Sequence, residues 1–176
     1  MPYNFDRSQN HYYFNNKNSV PIIFIHGLGL NQSMWKPQID FFKNNSFVTY
    51  DLLGHGKTPF SENILTMKKL ASQLLVLIEN LKIDKFHLIG FSIGALVAIE
   101  FTTNYEKYLN SLTLISTTYK RSNDEKQKVI DRVNLAKRNM PISKMAMKRW
   151  FSEDYLKKNP DLYEEFLITL NKEGVN

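Results

Sequence analysis

Gly90-Phe91-Ser92-Ile93-Gly94 decides how the rest of this chain is read. The pentapeptide lies between an apolar run, Phe86 to Ile89, and a helical run, Ala95 to Phe101, so a serine stands at a sharp strand-to-helix turn. In that context G-x-S-x-G has the form of a nucleophile elbow. The backbone at such a serine is strained, and glycines two residues to either side let the helix pack close against the strand. Ser92 then projects alone above the sheet rim. A helix beginning at Ile93 aims its free N–H groups and positive dipole end at any oxyanion formed beside Ser92. An ordinary Gly-Ser turn is the competing reading, and the pentapeptide alone does not separate the two.

Upstream, Val20 to Ile25 is a continuous β-branched and apolar run, the pattern of a strand covered on both faces, and it ends at His26-Gly27. Residues 3 to 17 alternate around Tyr3, Phe5, Tyr12, Tyr13 and Phe14, with turn chemistry at Asn15, Asn16 and Asn18, and predict an opening antiparallel hairpin. Ser33 is placed to cap a helix carrying Trp35, Ile39 and Phe42, with Pro37 near its start, and Phe47 to Leu52 is the next strand. From Thr66, the residues Leu70, Leu74, Leu77, Ile78 and Leu81 fall on one helical stripe, with Gln73 off it. Downstream of the elbow, Leu112 to Ile115 is a further short strand. Alternating strands and helices predict an α/β fold with a mostly parallel, doubly wound sheet.

After Thr118 no strand signal remains. Helices are expected through Val129, Ile130, Val133 and Ala136, through Met145 to Phe151, and from Leu162 to Leu170, the last with Asn159-Pro160 as N-cap and first position. Two regions are therefore expected: a core over residues 1–118 and a helical, incomplete cap over 119–176. The chain has no cysteine, which excludes disulfides, thiolate metal sites and a thiol nucleophile. An export signal and a membrane-spanning run are both absent from the pattern, so a soluble, cytoplasmic protein without membrane partner is expected. Net charge is +6, but residues 120–149 alone hold ten Lys/Arg against Asp124, Glu125 and Asp131, or +7. Such a run is first a solvated helix face; steering of an anionic substrate is the second reading, and nucleic acid is not expected.

Three loops follow three strand ends in order: His26-Gly27-Leu28-Gly29, Asp51-Leu-Leu-Gly-His-Gly56, and Gly90 to Gly94. In a parallel sheet they open on one rim. Together they resemble the α/β-hydrolase fold family over about residues 10 to 118. That resemblance implies Ser92 as nucleophile and the backbone N–H groups of Leu28 and Ile93 as oxyanion-hole donors. It also implies structural roles for His26, Gly27, Gly90 and Gly94, with His26 holding the oxyanion loop through hydrogen bonds, and a core position for Trp35, with pocket lining as its alternative. His26 to Gly29 with Met34-Trp35, plus Arg149-Trp-Phe151 and Asn159-Pro160, look like the 3-oxoadipate enol-lactonase branch, whose substrate is anionic. Serine at position 92 sets aside the dehalogenase and epoxide-hydrolase branches, which attack through a carboxylate. Nucleotide motifs fail: Asp51 stands where a phosphate loop before Gly56-Lys57-Thr58 needs glycine, and Gln32 replaces the third glycine of a dinucleotide fingerprint. Neither cofactor nor metal is implied.

The family's triad follows the nucleophile in the order acid, then histidine, yet no histidine follows His87. Only His55 lies on the rim, and the family's strand order implies that it stands about 10 Å from Ser92, across the strand ending at His26 and on the side opposite the expected base. Thr117, Thr118 and Tyr119 offer no acid after Ser116. The expectation is a sheet truncated after its sixth strand, with a bare apolar edge, in a fragment of a serine hydrolase of carboxylic esters or lactones that is inactive alone. A ligand-binding or assembly protein with a degenerate hydrolase fold is the alternative.

Overall fold

The computed structural model describes residues 3–62, 64–138 and 142–172. They form two compact units that divide between Thr117 and Thr118.

The first unit is built on a six-stranded sheet of β1 (Asn4–Phe5), β2 (His11–Asn15), β3 (Ile22–Ile25), β4 (Phe47–Tyr50), β5 (Phe86–Phe91) and β6 (Leu109–Ile115), in the order β1-β2-β4-β3-β5-β6. β1 and β2 run antiparallel, as does β2 against β4; β4, β3, β5 and β6 are parallel neighbours. The continuous apolar character of β3 follows from this place, since it pairs on both edges, Ile23 with Val48 and with Leu88, and is covered on both faces. The mostly parallel sheet is thus as expected. The hairpin turn is not where the asparagines suggested. It sits at residues 6–10, where the Asp6 carboxylate accepts from the Ser8 and Asn10 N–H groups at 2.8 and 2.9 Å, while Asn15 to Asn18 link β2 to β3.

Helices cover both faces, as period and order demanded. On one face α2 (Met67–Asn80) and α3 (Ile93–Tyr105) bury Leu70, Leu74, Leu77, Ile78, Val97, Ala98 and Phe101 against Ile23, Ile25, Val48, Tyr50 and Leu88. Each such aliphatic side chain contributes about 1.5–3 kcal/mol. Thr66 caps α2, its hydroxyl accepting from Lys69 N–H. Gln73, placed off the apolar stripe by periodicity, is buried, because its amide bridges Asn10 Oδ1, the Asp51 carbonyl and Leu53 N–H. On the other face Phe24, Trp35 and Phe47 form a cluster with Ile39 and Phe42. Here the chain starts as a 3₁₀ turn (Gln32–Trp35) that passes into α1 (Lys36–Phe41), with Pro37 in its first turn. Asn31, not Ser33, is the cap: its side chain accepts from Ser33 N–H.

β6 is longer than Leu112 to Ile115 and pairs only with β5 among the described residues. Leu112, Leu114 and Ile115 stay 36, 38 and 38% exposed along it.

The second unit holds α4 (Asn123–Lys137), α5 (Ile142–Trp150), α6 (Glu153–Lys158) and α7 (Pro160–Lys172). Met147 and Leu170 are buried in it, and Phe151 stacks on Tyr155 and meets Phe166 edge-on. α6, capped by Ser152, was not foreseen; it is a short, largely exposed turn with little periodicity. Pro160 opens α7 as expected, but the Asn159 amide donates back to the Tyr155 carbonyl instead of capping forward.

Candidate active site

Ser92 stands between β5 and α3 with φ 54° and ψ −114°. For a residue with a Cβ this is a strained conformation, costing about 1–3 kcal/mol and persisting only where neighbours over-determine it. The neighbours are identifiable. Ser92 N–H donates to the Ile115 carbonyl at 2.9 Å, and the Ser92 carbonyl accepts from Ala95 N–H at 3.1 Å. A Cβ on Gly90 would run into the Gly94 carbonyl, and one on Gly94 into the carbonyls of Ile25 and His26. Strand, helix and the end of β3 therefore meet backbone to backbone, which only glycine permits. That contact sets the His26-Gly27-Leu28 loop beside the Ser92 turn.

The loop is held by His26. Its ring is fully buried, Nδ1–H donates to the Gly27 carbonyl at 2.8 Å, and Nε2 accepts from Leu52 N–H at 2.9 Å, so the two bonds fix the neutral tautomer. Burial first, and then the neighbouring His55, lower its pKa to about 4. The Gly27 carbonyl also accepts from Leu30 N–H at 3.2 Å. Because the peptide unit is planar, clamping the Gly27 C=O fixes the opposite direction of the Leu28 N–H. The other N–H placed for an anion is that of Ile93, the first residue of α3, where the helix end carries positive potential.

Each of the chain's four histidines has a hydrogen-bond partner other than Ser92. His55 is buried, bonds the Leu53 carbonyl through Nδ1 and packs edge-on against His26. His87, near the start of β5, bonds the Ser111 hydroxyl. His11 meets Asp51 at 2.6 Å. This last pair is a buried histidine–carboxylate couple, and sequence reasoning missed it, since the two residues lie 40 apart and on antiparallel neighbours. Asp51 is saturated: Oδ1 accepts from Gln32 N–H at 2.9 Å, and Oδ2 from Lys57 N–H at 3.0 Å as well as facing His11. β3 stands between β4 and β5, so Asp51 is about 10 Å from the Ser92 turn.

Trp35, the alternative pocket residue, is 3% exposed and packs on Phe24, its indole N–H unpartnered among the described residues. A cavity of about 210 Å³ lies against α2, lined by residues including Asn10, Lys69 and Gln73; Ser92, Leu28 and Ile93 are not among them. Among the described residues no group of histidines and carboxylates is arranged to hold a metal, and no helix is long and apolar enough to cross a membrane.

Residues 20–171 match the family model described as the alpha/beta hydrolase fold. The chain is 27% identical to 3-oxoadipate enol-lactonase 2 of Acinetobacter baylyi, over 91% of this chain and 60% of that protein. It is 24% identical to (E)-2-((N-methylformamido)methylene)succinate hydrolase of the same organism, over 84% of this chain and 56% of that protein. Among solved structures, the enol-lactonase of Burkholderia xenovorans superposes with a TM-score of 0.83 at 22% identity, covering 99% of this chain and 70% of that one. A thermophilic esterase from Thermogutta terrifontis gives 0.80 at 25% identity, covering 94 and 64%. The chain thus spans a little over half the length of these two curated relatives. A strained serine at the β5–α3 turn, a clamped loop after β3 and a family match across most of its residues lead to one conclusion: the chain belongs to the α/β-hydrolase fold family.

Proposed function

We propose that this chain carries the nucleophile and oxyanion-hole half of a serine hydrolase acting on carboxylic esters or lactones. The observation that carries the reading is the backbone of Ser92, a strained non-glycine turn at the carboxyl end of a parallel strand, in contact with the loop that ends β3. Ser92 Oγ attacks the carbonyl carbon, its proton passes to a base, and the Leu28 and Ile93 N–H groups hold the tetrahedral oxyanion. Collapse expels the alkoxide, which takes that proton, and water then releases the acid from the serine ester. On this reading the base comes from outside residues 1–176, since each of the four histidines has a hydrogen-bond partner of its own, and the acid does so with it by the family's order of acid, then histidine, after the nucleophile.

A substrate resembling the lactones in the names of the relatives would be anionic, which fits the excess of Lys and Arg between residues 120 and 149. Burial and the nearby Arg132 charge lower the Arg149 pKa, so two cations of the second unit lie close together. The engaged histidines equally favour a second reading, a ligand-binding protein that keeps the fold without turnover.

Hydrolysis of an activated aryl ester separates them. The 176-residue chain is expected near the uncatalysed rate. It gains Ser92-dependent turnover when a polypeptide carrying the missing acid and histidine strands is fused to it. Turnover by that fusion unimpaired in Ser92→Ala would sink the hydrolase reading.

A further inference from the structure

The two N–H groups proposed to hold the oxyanion reach Ser92 by different routes. Ile93 follows Ser92 in the chain, so the turn that sets one sets the other. Leu28 belongs to the loop after β3 and meets Ser92 only through space. Hydrogen bonds to the Gly27 carbonyl hold one end of the Gly27–Leu28 peptide, but glycine's wide φ/ψ range leaves that peptide free to tilt about the Gly27 Cα unless something rests there. Phe91 does. A Cβ on Gly27 would stand 2.8 Å from Phe91 Cδ1 and 3.0 Å from Cε1, so the ring edge fills the place a side chain would take. The φ of Gly27 lies outside the left-handed region, and the next neighbour, Leu30 Cδ1, would be at an ordinary 3.5 Å, so the ring is what demands glycine here. The ring has support of its own: it packs on the buried cluster of Phe24, Trp35 and Phe47, on the sheet face opposite α3.

We infer that Phe91 is a positioning residue for the Leu28 N–H, holding the loop after β3 in register with the Ser92 turn; this rests on the hydrolase reading above. Phe91 precedes Ser92 and Gly27 precedes Leu28, so a single side-chain contact ties together the two residues whose separation decides whether an oxyanion on Ser92 is met. On the α3 side, the approach of Gly94 to the carbonyls of Ile25 and His26 sets the spacing of helix and loop. The ring, wedged from the other face, sets the tilt of the peptide. An oxyanion donor is worth most when it needs no reorganisation at the moment of reaction, and a flat side chain backed by buried aromatics supplies that fixity. The elbow pattern leaves position 91 open, so the ring is this chain's own contribution to the site.

Imidazole-accelerated fluorophosphonate labelling of Ser92 in the 176-residue chain tests it, scaled to the folded fraction read by circular dichroism. Phe91→Ala and Phe91→Leu are expected to slow labelling about tenfold or more, while Phe91→Tyr, which keeps the ring, labels at the wild-type rate. Coupling to Gly27 separates positioning from general packing: Gly27→Ala should slow labelling about tenfold when Phe91 is present and hardly further once position 91 is alanine. Should Phe91→Ala lose the fold, Phe91→Leu against Phe91→Tyr still decides, since both keep an apolar body on the cluster and differ in the ring. A wild-type chain that imidazole does not accelerate overturns the hydrolase reading and this inference with it. Wild-type labelling at Ser92 that Phe91→Leu leaves unchanged, a Phe91→Tyr variant as slow as Phe91→Leu, or a Gly27→Ala loss equal in both backgrounds overturns the inference alone and leaves the reading standing.

Discussion

The two ends of one sheet rim are built on opposite terms. Beyond β4, the loop around Asp51 is closed by hydrogen bonds from Gln32, Lys57 and His11, with Gln73 and His26 bracing the flanking backbone. Beyond β5, Ser92 is held in a strained conformation beside a sheet edge that nothing covers among the described residues. The first region lowers the energy of the fold; the second draws on it. Buried polar groups that are fully partnered rigidify a scaffold, while strain collects where a side chain must be presented. The glycine contacts that join them, through Gly94 and the carbonyls of Ile25 and His26, tie the strained turn to the rigid one.

Asp51→Ala should give the largest effect that breaks this contrast, destabilising by about 3–5 kcal/mol because it strands His11, the buried Gln32 N–H and the part-buried Lys57 N–H at once. Urea denaturation measures it; a loss below about 1 kcal/mol would mean the network is not what holds the β4 end. Acid should act through His26 next. Its folded pKa near 4 lies below the unfolded value of about 6.5, so between those pH values the unfolded chain binds a proton that the folded one excludes. Stability contributed by the neutral ring is present above pH 6.5 and lost as pH falls toward 4, by up to about 3 kcal/mol. The slope should shrink in His26→Gln; an unchanged slope would place the titration elsewhere.

Ser92→Gly should change stability with the opposite sign. Relief of the strained φ is expected to stabilise by about 1 kcal/mol, and destabilisation would contradict a strained elbow. Tyr50→Phe should have the smallest effect. The Tyr50 hydroxyl is buried without a partner among the described residues, and burial pushes its pKa up, so removing it should be neutral or slightly stabilising in a thermal melt.

What could be read from the sequence divides along the same line. The elbow was legible because strand, glycines and helix are contiguous, and α2 because Leu70, Leu74, Leu77 and Ile78 repeat at the helical period. The β4 network was not, because His11, Gln32, Asp51 and Gln73 come from a strand, a 3₁₀ turn, a loop and a helix that meet only in the folded chain and share no spacing. Gln73 looked solvent-facing for the same reason: an amide buried to bridge two loops leaves no mark on a hydropathy pattern. The hairpin turn was misplaced because three asparagines advertise a turn more loudly than one Asp6, whose carboxylate organises residues 6–10. Asn18 does adopt a positive φ of 56°, but in the link to β3. The candidate base and acid had no signal to find: every histidine present is spent on structure.

Chemical rescue tests most directly the proposal that Ser92 is a nucleophile whose base lies outside residues 1–176. If the proposed oxyanion donors Leu28 and Ile93 serve Ser92, the serine should accept a base from solution, so fluorophosphonate labelling of the 176-residue chain, mapped by mass spectrometry, should be slow in plain buffer. It should accelerate with added imidazole, at Ser92 and not in Ser92→Ala. Labelling that ignores imidazole, or that is fast without it and abolished by His55→Ala, would contradict the account.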